Sequence, residues 1–210
     1  FGNIYAGFLA RSMGVPIRRL ILATNENNVL EEFFTTGIYR PRSAEDTLAT
    51  SSPSMDISKA SNLERFIWAL LGPEVFVQRW AELEATGTLD LRDQLPRLRE
   101  EFGFVAGTST HTDRLEAIRT VKERSGRLID PHTADGITVA LRTMEPGFPT
   151  LVMETAKAAK FPQTVAEALG KDPETPDIIA DLLTRPQKVE TIDNEEAPLR
   201  ALIEERALTS

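Results

Sequence analysis

A short apolar run between two helix-like segments is the feature that most constrains this fold. The run is Arg18–Thr24 (RRLILAT), whose continuous apolar centre is typical of a strand buried on both faces. Apolar residues recur at helical spacing before it in Asn3–Met13 and after it in Asn28–Thr36, which Gly37 closes. Helix, strand and helix joined by short connections predict an α/β fold with a parallel sheet flanked by helices.

The rest of the chain continues this pattern, with helices more frequent than strands. Further strands are predicted at Phe104–Gly107 and at Thr150–Thr155, the latter in the same parallel sheet as the first run. Ser61 and Glu64 have the spacing of a capping box at a helix start. Helices are predicted over Ser61–Leu71, Glu74–Thr86, Leu89–Phe102 (solvated), His111–Ser125, the segment opened by Asp130-Pro131, Phe161–Leu169, Asp177–Leu183 and Ala197–Leu208.

Charge and cysteine content exclude several classes of function. The formal net charge is -8, which disfavours duplex DNA and anionic membranes as partners, because both bind clustered Lys and Arg. The longest apolar runs, such as Phe66–Gly72, are too short to span a bilayer. With no cysteine and two histidines outside any ligand spacing, no catalytic metal is expected. An anionic small substrate needs only a local cationic pocket and remains compatible.

Two segments carry polar residues that admit either a structural or a functional interpretation. Tyr39–Ser54 is rich in Ser and Thr, as a solvated surface loop would be, but hydroxyls and Arg side chains also suit a loop that lines an anionic substrate. Phe1-Gly2-Asn3 precedes a helix, where backbone N–H groups can bind an anion or simply form a turn. The chain begins inside a predicted element without Met, so we expect it to be a piece of a longer protein.

Four ordered sequence blocks resemble threonine synthases and together cover nearly the whole chain. Residues 1–42 are similar to the family stretch that begins at the Gly-Asn-Phe-Gly-Asn cofactor-phosphate loop, of which the last three residues are present. Ser51–Leu70 is similar to the family's SPSMDI and SNFER block. Ile129–Ile137 (IDPHTADGI) and Met153–Val165, which corresponds to the TAHPAKFP motif, complete the resemblance.

The resemblance implies a pyridoxal-phosphate (PLP) enzyme of the tryptophan-synthase-β type (fold type II). This lyase would convert O-phospho-L-homoserine and water to L-threonine and phosphate, in the cytoplasm. The resemblance places Phe1, Gly2 and Asn3 around the cofactor phosphate and Thr155 at the pyridine nitrogen, so these residues are expected to lie one small molecule apart. Lys157 and Ala158 replace the family's His and Pro, and we assign Lys157 no role.

The lysine that binds the cofactor through a Schiff base lies, by the same resemblance, upstream of Phe1. No catalytic residue is therefore expected in this segment, and the segment alone is expected to be inactive. The implied layout is the C-terminal portion of the enzyme over 1–210, a large cofactor-binding domain with helical insertions at about 60–125 and a helical tail at about 175–210. The chain's own lysines all fall in segments that match other parts of the family: Lys59, Lys122, Lys157, Lys160, Lys171 and Lys188.

Two residues and two rival functions stay open at this point. His132 follows the Asp130-Pro131 helix start, where it can pack and hydrogen-bond or act as a general base. Asp56 can orient a substrate amine or hydroxyl, or cap a turn. The rivals are a non-catalytic relative that binds a partner and another fold-type II enzyme such as a serine or threonine dehydratase. The PSMDI and DPHTA blocks speak against the dehydratase.

Overall fold

The computed structural model describes residues 1–173 and 184–207. These fall into two compact units, one within 1–174 and one within 175–210. The helices are α1 (Gly2–Ser12), α2 (Val29–Thr36), α3 (Glu64–Leu71), α4 (Pro73–Thr86), α5 (His111–Ser125), α6 (Pro131–Thr143), α7 (Pro162–Leu169) and α8 (Glu196–Arg206). The strands are β1 (Leu20–Thr24), β2 (Ile38–Tyr39), β3 (Leu89–Asp90) and β4 (Phe104–Thr108).

A parallel pair of strands forms the centre of the first unit. β1 pairs with β4 from Leu20 opposite Phe104 to Thr24 opposite Thr108. Helices α2 and α6 each pack against both strands, and α1 packs against β1. The predicted α/β architecture with a parallel sheet flanked by helices is therefore confirmed.

Aromatic side chains form the core between α1, α2, α3 and β4. Phe34 and Phe104 have ring centroids 4.5 Å apart, and Phe66 lies 5.2 Å from Phe104. Phe8 meets Phe66 edge to face at 5.1 Å, so rings from four elements share one cluster. Edge-to-face and offset pairs of this kind add roughly 0.5–1.5 kcal/mol each beyond the burial of their area.

Local signals place several helix ends correctly. Gly37 and Gly126 close α2 and α5 in the left-handed conformation that glycine adopts without steric cost. Asp130 caps α6 by accepting a hydrogen bond from the backbone N–H of His132. The capping box predicted at Ser61 and Glu64 is wrong, because α3 begins at Glu64 itself, with no side-chain cap.

The solvated helix predicted over Leu89–Phe102 is also wrong. The segment is divided into β3, a 3-10 turn and one π-helical turn, and β3 pairs with β2 in an antiparallel bridge. Leu89, Leu91 and Leu98 expose none of their surface. Because these leucines are buried against elements distant in sequence, tertiary packing determines the conformation of the segment and overrides its helix propensity.

The strand predicted over Thr150–Thr155 is absent, and this region is irregular. Leu151 is 91% exposed and Met153 is 65% exposed, so the apolar run that suggested a buried strand is not buried here. Thr150–Thr155 is not part of the two-stranded sheet of β1 and β4. A short apolar run does not by itself specify a buried strand.

The second unit contains α8, which confirms a closing helix near Ala197–Leu208. Ion pairs within this unit join Arg200 to Glu196 and Arg206 to Glu190. The helix predicted over Asp177–Leu183 lies outside the described residues. Among the residues that are described, no helix combines the length and apolar character that crossing a membrane requires.

Candidate functional site

Polar residues are concentrated where the parallel strands β1 and β4 end. Asn25, Glu26 and Asn27 follow β1, and Ser109 and Thr110 follow β4. Asn25 and Ser109 are completely buried, although both are polar. Ligands in open α/β sheets bind outside the carboxyl ends of the strands, so this edge is the first place to seek a site.

The chain crosses this edge in residues 48–56, here called the strap. Asn25 Nδ2 lies 2.8 Å from both Thr50 Oγ1 and Asp56 Oδ1. Asn27 Nδ2 donates to Asp56 Oδ1, and the Thr50 backbone N–H donates to Asp56 Oδ2, each at 2.9 Å. Both carboxylate oxygens of Asp56 thus accept hydrogen bonds, from the strap itself and from the residues that follow β1. These bonds support the turn-capping interpretation of Asp56.

A fully enclosed arginine fixes the middle of the strap. Arg114 on α5 has no exposed side-chain surface, and its Nε donates to Ser51 Oγ at 2.8 Å. Its two terminal nitrogens bind the Glu26 carboxylate at 3.0 Å each, and Nη1 also lies 3.0 Å from Asp135 Oδ1 on α6. One guanidinium thus joins α5, α6, the end of β1 and the strap.

Burial and charge move the pKa values of the two acids in opposite directions. Burial raises the pKa of Asp135 above its ordinary value, despite the adjacent Arg114. Burial opposes ionisation of Glu26 too, but hydrogen bonds and charge from Arg114 outweigh it and lower the Glu26 pKa. Arg114 therefore lies between one acid whose pKa is raised and one whose pKa is lowered.

Sequence reasoning missed Arg114, although its position contains a signal. Arg114 precedes Ala117 and Ile118 by three and four residues, and both of these are buried on α5. Residues at that spacing share one helix face, so an arginine there points into the core and must find acidic partners.

His111, the first residue of α5, links the strap to α7. Its Nδ1 lies 2.8 Å from Ser51 Oγ, and its Nε2 lies 2.9 Å from Glu167 Oε1. Since Ser51 Oγ accepts from Arg114, its own proton is free to bond to Nδ1, which leaves the His111 proton on Nε2 facing Glu167. Sequence reasoning assigned no role to this histidine.

His132 is buried at the start of α6 with both ring nitrogens engaged. Nδ1 lies 2.7 Å from Asp130 Oδ1, and Nε2 accepts the backbone N–H of Ser54 at 3.0 Å. The ring of Phe161 meets the imidazole edge to face at 4.7 Å. This geometry supports the packing and hydrogen-bonding interpretation over the general base.

The residues assigned to the cofactor phosphate stand at the start of α1. Phe1 is half-buried, with its ring 5.9 Å from Phe34 in a stacked arrangement. Gly2 and Asn3 are exposed in the first turn of α1, and Phe1 makes no side-chain capping hydrogen bond. A Cβ on Gly2 would meet only Asn62 Nδ2, at 3.9 Å.

Thr155 is exposed in the irregular segment that follows α6. The segment runs beside α6, because a Cβ on Gly136 would lie 3.0 Å from Val152 Cγ1 and Phe161 contacts His132. The closeness of Phe1–Asn3 to Thr155 stays a prediction. Lys157 pairs with Glu154 at 2.8 Å and is 78% exposed. Across residues 1–173 and 184–207, no group of three or more acidic or histidine side chains could hold a metal ion.

Comparison with known sequences identifies threonine synthases among the relatives of this chain. The family model described as threonine synthase, C-terminal, matches residues 133–203. Threonine synthase of Methylobacillus glycogenes is 48% identical over 208 residues, which are 98% of this chain and 44% of that protein. The Corynebacterium glutamicum enzyme is 50% identical over 202 residues, 93% of this chain and 42% of its own length. The chain thus spans less than half the length of these relatives.

Solved structures agree with the sequences. The structure of PLP-bound threonine synthase from Brucella melitensis matches with a TM-score of 0.82 and 34% identity, over 98% of this chain and 43% of that one. Threonine synthase from yeast matches with a TM-score of 0.80 and 28% identity, over 98% and 45%. The fold implied by the sequence blocks is confirmed, and the chain belongs to the threonine synthase family, matching the C-terminal part of its members.

Proposed function

We propose that this chain is part of a PLP-dependent threonine synthase. The whole enzyme converts O-phospho-L-homoserine and water to L-threonine and phosphate in the cytoplasm. The observation that carries the proposal is the 48% identity to a threonine synthase over 98% of this chain. Residues 1–174 belong to the large cofactor-binding domain, which includes helical insertions at about 60–125, and residues from about 175 form its tail.

In this proposal the first turn of α1 binds the cofactor phosphate. Phe1, Gly2 and Asn3 supply the last turn of the phosphate loop, and the exposed backbone N–H groups and helix dipole attract a dianion. The missing Cβ at Gly2 leaves the backbone open to close approach, and Asn3 adds a side-chain amide donor.

Thr155 would face the pyridine nitrogen of bound PLP. A hydroxyl is a neutral partner, so it does not force a proton onto the ring as an aspartate would. When bound, PLP withdraws electrons from the substrate carbon that bears the amino group. The strap lies across the carboxyl ends of β1 and β4, where it walls the cleft and keeps water from the reacting atoms.

The lysine that carries the cofactor belongs to the part of the enzyme that precedes residue 1. Overall, the bond between the γ carbon and the phosphate oxygen would break, the γ carbon would gain a hydrogen, and the β carbon would exchange one hydrogen for the hydroxyl of water. The upstream lysine would shuttle the protons. The residues of this chain bind and orient; they do not supply the base.

A chimeric enzyme tests the proposal directly. The matching stretch of the Methylobacillus glycogenes threonine synthase is replaced by this chain and expressed in a strain that lacks threonine synthase. We expect growth without threonine, a PLP absorption band in the purified protein and release of phosphate from O-phospho-L-homoserine. A folded chimera that releases no phosphate, or that deaminates L-serine or L-threonine instead, would contradict the proposal.

Thr155→Val in this chimera tests the pyridine contact. Because the side chain is exposed, the substitution should leave folding intact while it alters the PLP absorption spectrum and lowers activity. Thr112→Val, at an exposed position on α5, is the matched control and should change neither.

A further inference from the structure

His132 connects two segments of the proposed site that are remote from each other in sequence. Its imidazole accepts the backbone N–H of Ser54, which lies in the 3-10 turn Pro53–Met55 of the strap. The same ring contacts Phe161, at the end of the segment that carries Thr155. The side chain is only 6% exposed, so these contacts are made inside the protein.

The hydrogen bonds determine the tautomer of this ring. A backbone N–H can only donate, so Nε2 of His132 carries no proton and Nδ1 carries it toward Asp130. Asp130 also accepts the backbone N–H of His132 and the hydroxyl of Thr133. The carboxylate is thereby held in place, and it holds the ring with Nε2 facing the strap.

The strap's other hydrogen bonds are made on either side of Ser54. Asn27 binds Leu48, Asn25 binds Thr50 and Ser52, and His111 binds Ser51. Asn25 and Asn27 bind Asp56 at one end, and Arg114 binds Ser51 ahead of the turn. Ser54 and Pro53 are exposed, so the turn presents its outer side to solvent and its backbone N–H to His132. Among the described residues, this bond joins the backbone of the turn directly to α6.

We propose that His132 is a positioning residue of the cofactor site, which holds the strap's turn and the Thr155 segment in a fixed relation. It acts through Ser54 and Phe161 and takes no proton from substrate. The inference rests on the proposed function, in which the strap and Thr155 belong to the same cofactor site. It extends that function by naming the side chain that aligns them.

Two substitutions separate the two bonds of the imidazole. His132→Gln places a carboxamide oxygen near the position of Nε2 and can still accept from Ser54. His132→Asn is shorter; its amide can still donate to Asp130 but cannot reach Ser54. Both remove the aromatic ring, so the loss of packing on Phe161 is common to the pair.

In the chimera we expect the Asn variant to bind PLP about fivefold more weakly than the Gln variant and to show a higher KM, as loss of one hydrogen bond predicts. In the 210-residue chain without cofactor, hydrogen exchange at the Ser54 amide should be slow in wild type and in His132→Gln and fast in His132→Asn. The two variants should have similar melting temperatures, which shows that the difference is local.

The outcomes distinguish this inference from the proposed function. Slow Ser54 exchange in the Asn variant, or equal PLP affinity in both variants of an active chimera, would overturn the role of His132. An inactive wild-type chimera would overturn the proposed function, while Ser54 exchange in the chain alone would still decide whether His132 holds the strap.

Discussion

Arg114 and Asp135 form an ion pair in which neither side chain has any exposed surface, with Nη1 and Oδ1 3.0 Å apart. Arg114 also binds Glu26, whose side chain is 27% exposed. The guanidinium therefore has one partner in the interior and one that reaches water. Desolvation of such a pair is costly. Removal of one partner therefore lowers stability mainly because the other charge is left buried without a partner, and less because a hydrogen bond is lost.

Arg114→Met should destabilise the first unit strongly, by about 3–5 kcal/mol, because Asp135 and Glu26 lose their common partner. Chemical denaturation followed by circular dichroism measures the free energy of unfolding. Arg79→Met removes an exposed pair with Glu82 and should cost only about 0–1 kcal/mol. Similar losses in the two variants would contradict the buried charge cluster. Adding Asp135→Asn to Arg114→Met should recover part of the loss.

Asp130 should contribute to stability in a pH-dependent way. Burial opposes its ionisation, but hydrogen bonds from His132 and Thr133 outweigh burial and hold the pKa below the ordinary 3.8. A carboxyl with a lowered folded-state pKa stabilises the protein above its unfolded pKa and loses that contribution as the pH falls through the folded value.

Asp130→Asn should thus be less stable than wild type near neutral pH, with a difference that shrinks between about pH 5 and pH 2. Urea midpoints measured across that range give the comparison. A difference that stays constant with pH would show that the lost contribution is not that of an ionised carboxylate.

Gly103 should not tolerate a side chain. It has φ +69°, and a Cβ there would lie 2.6 Å from the carbonyl oxygen of Arg18. Gly126 has nearly the same φ, +70°, but no atom within 4 Å of the added Cβ. Gly126→Ala should therefore cost about 1–2 kcal/mol for the left-handed backbone alone. Gly103→Ala should cost clearly more. Thermal unfolding of the two variants measures both losses, and equal losses would show that the clash at Gly103 is relieved.

The 210-residue chain alone should not act on O-phospho-L-homoserine. The cofactor lysine of the family has no match among its six lysines, so added PLP should be lost on dialysis and no phosphate should be released. The visible spectrum and a phosphate assay test this. A stoichiometric PLP band that survives dialysis, together with phosphate release, would mean that another lysine serves.

Local signals in the sequence predicted most of the elements. The Asp130-Pro131 start of α6 and the glycine ends of α2 and α5 depend on backbone geometry within a few residues, which the sequence contains. The run Arg18–Thr24 predicted β1 because its apolar residues are buried within the first unit itself.

Non-local pairing explains the elements that were predicted wrongly. Tyr39 pairs with Leu89 across 50 positions, and this contact, not helix propensity, determines the conformation after Leu89. The same holds at the site, where the partners of Arg114 include Glu26, 88 positions away. Blocks of family sequence pointed to the strap and to α6, but the bonds that join them depend on the assembled fold.

The strap also has a consequence for the order of folding. Its bonds to Arg114 and His132 close loops of 63 and 78 residues, so they can form only after α5 and α6 have docked on the sheet. Contacts that form after the transition state slow unfolding without speeding folding. The strap is therefore expected to slow unfolding. Substitutions that weaken its hydrogen bonds should shorten the lifetime of the native state and leave the refolding rate unchanged.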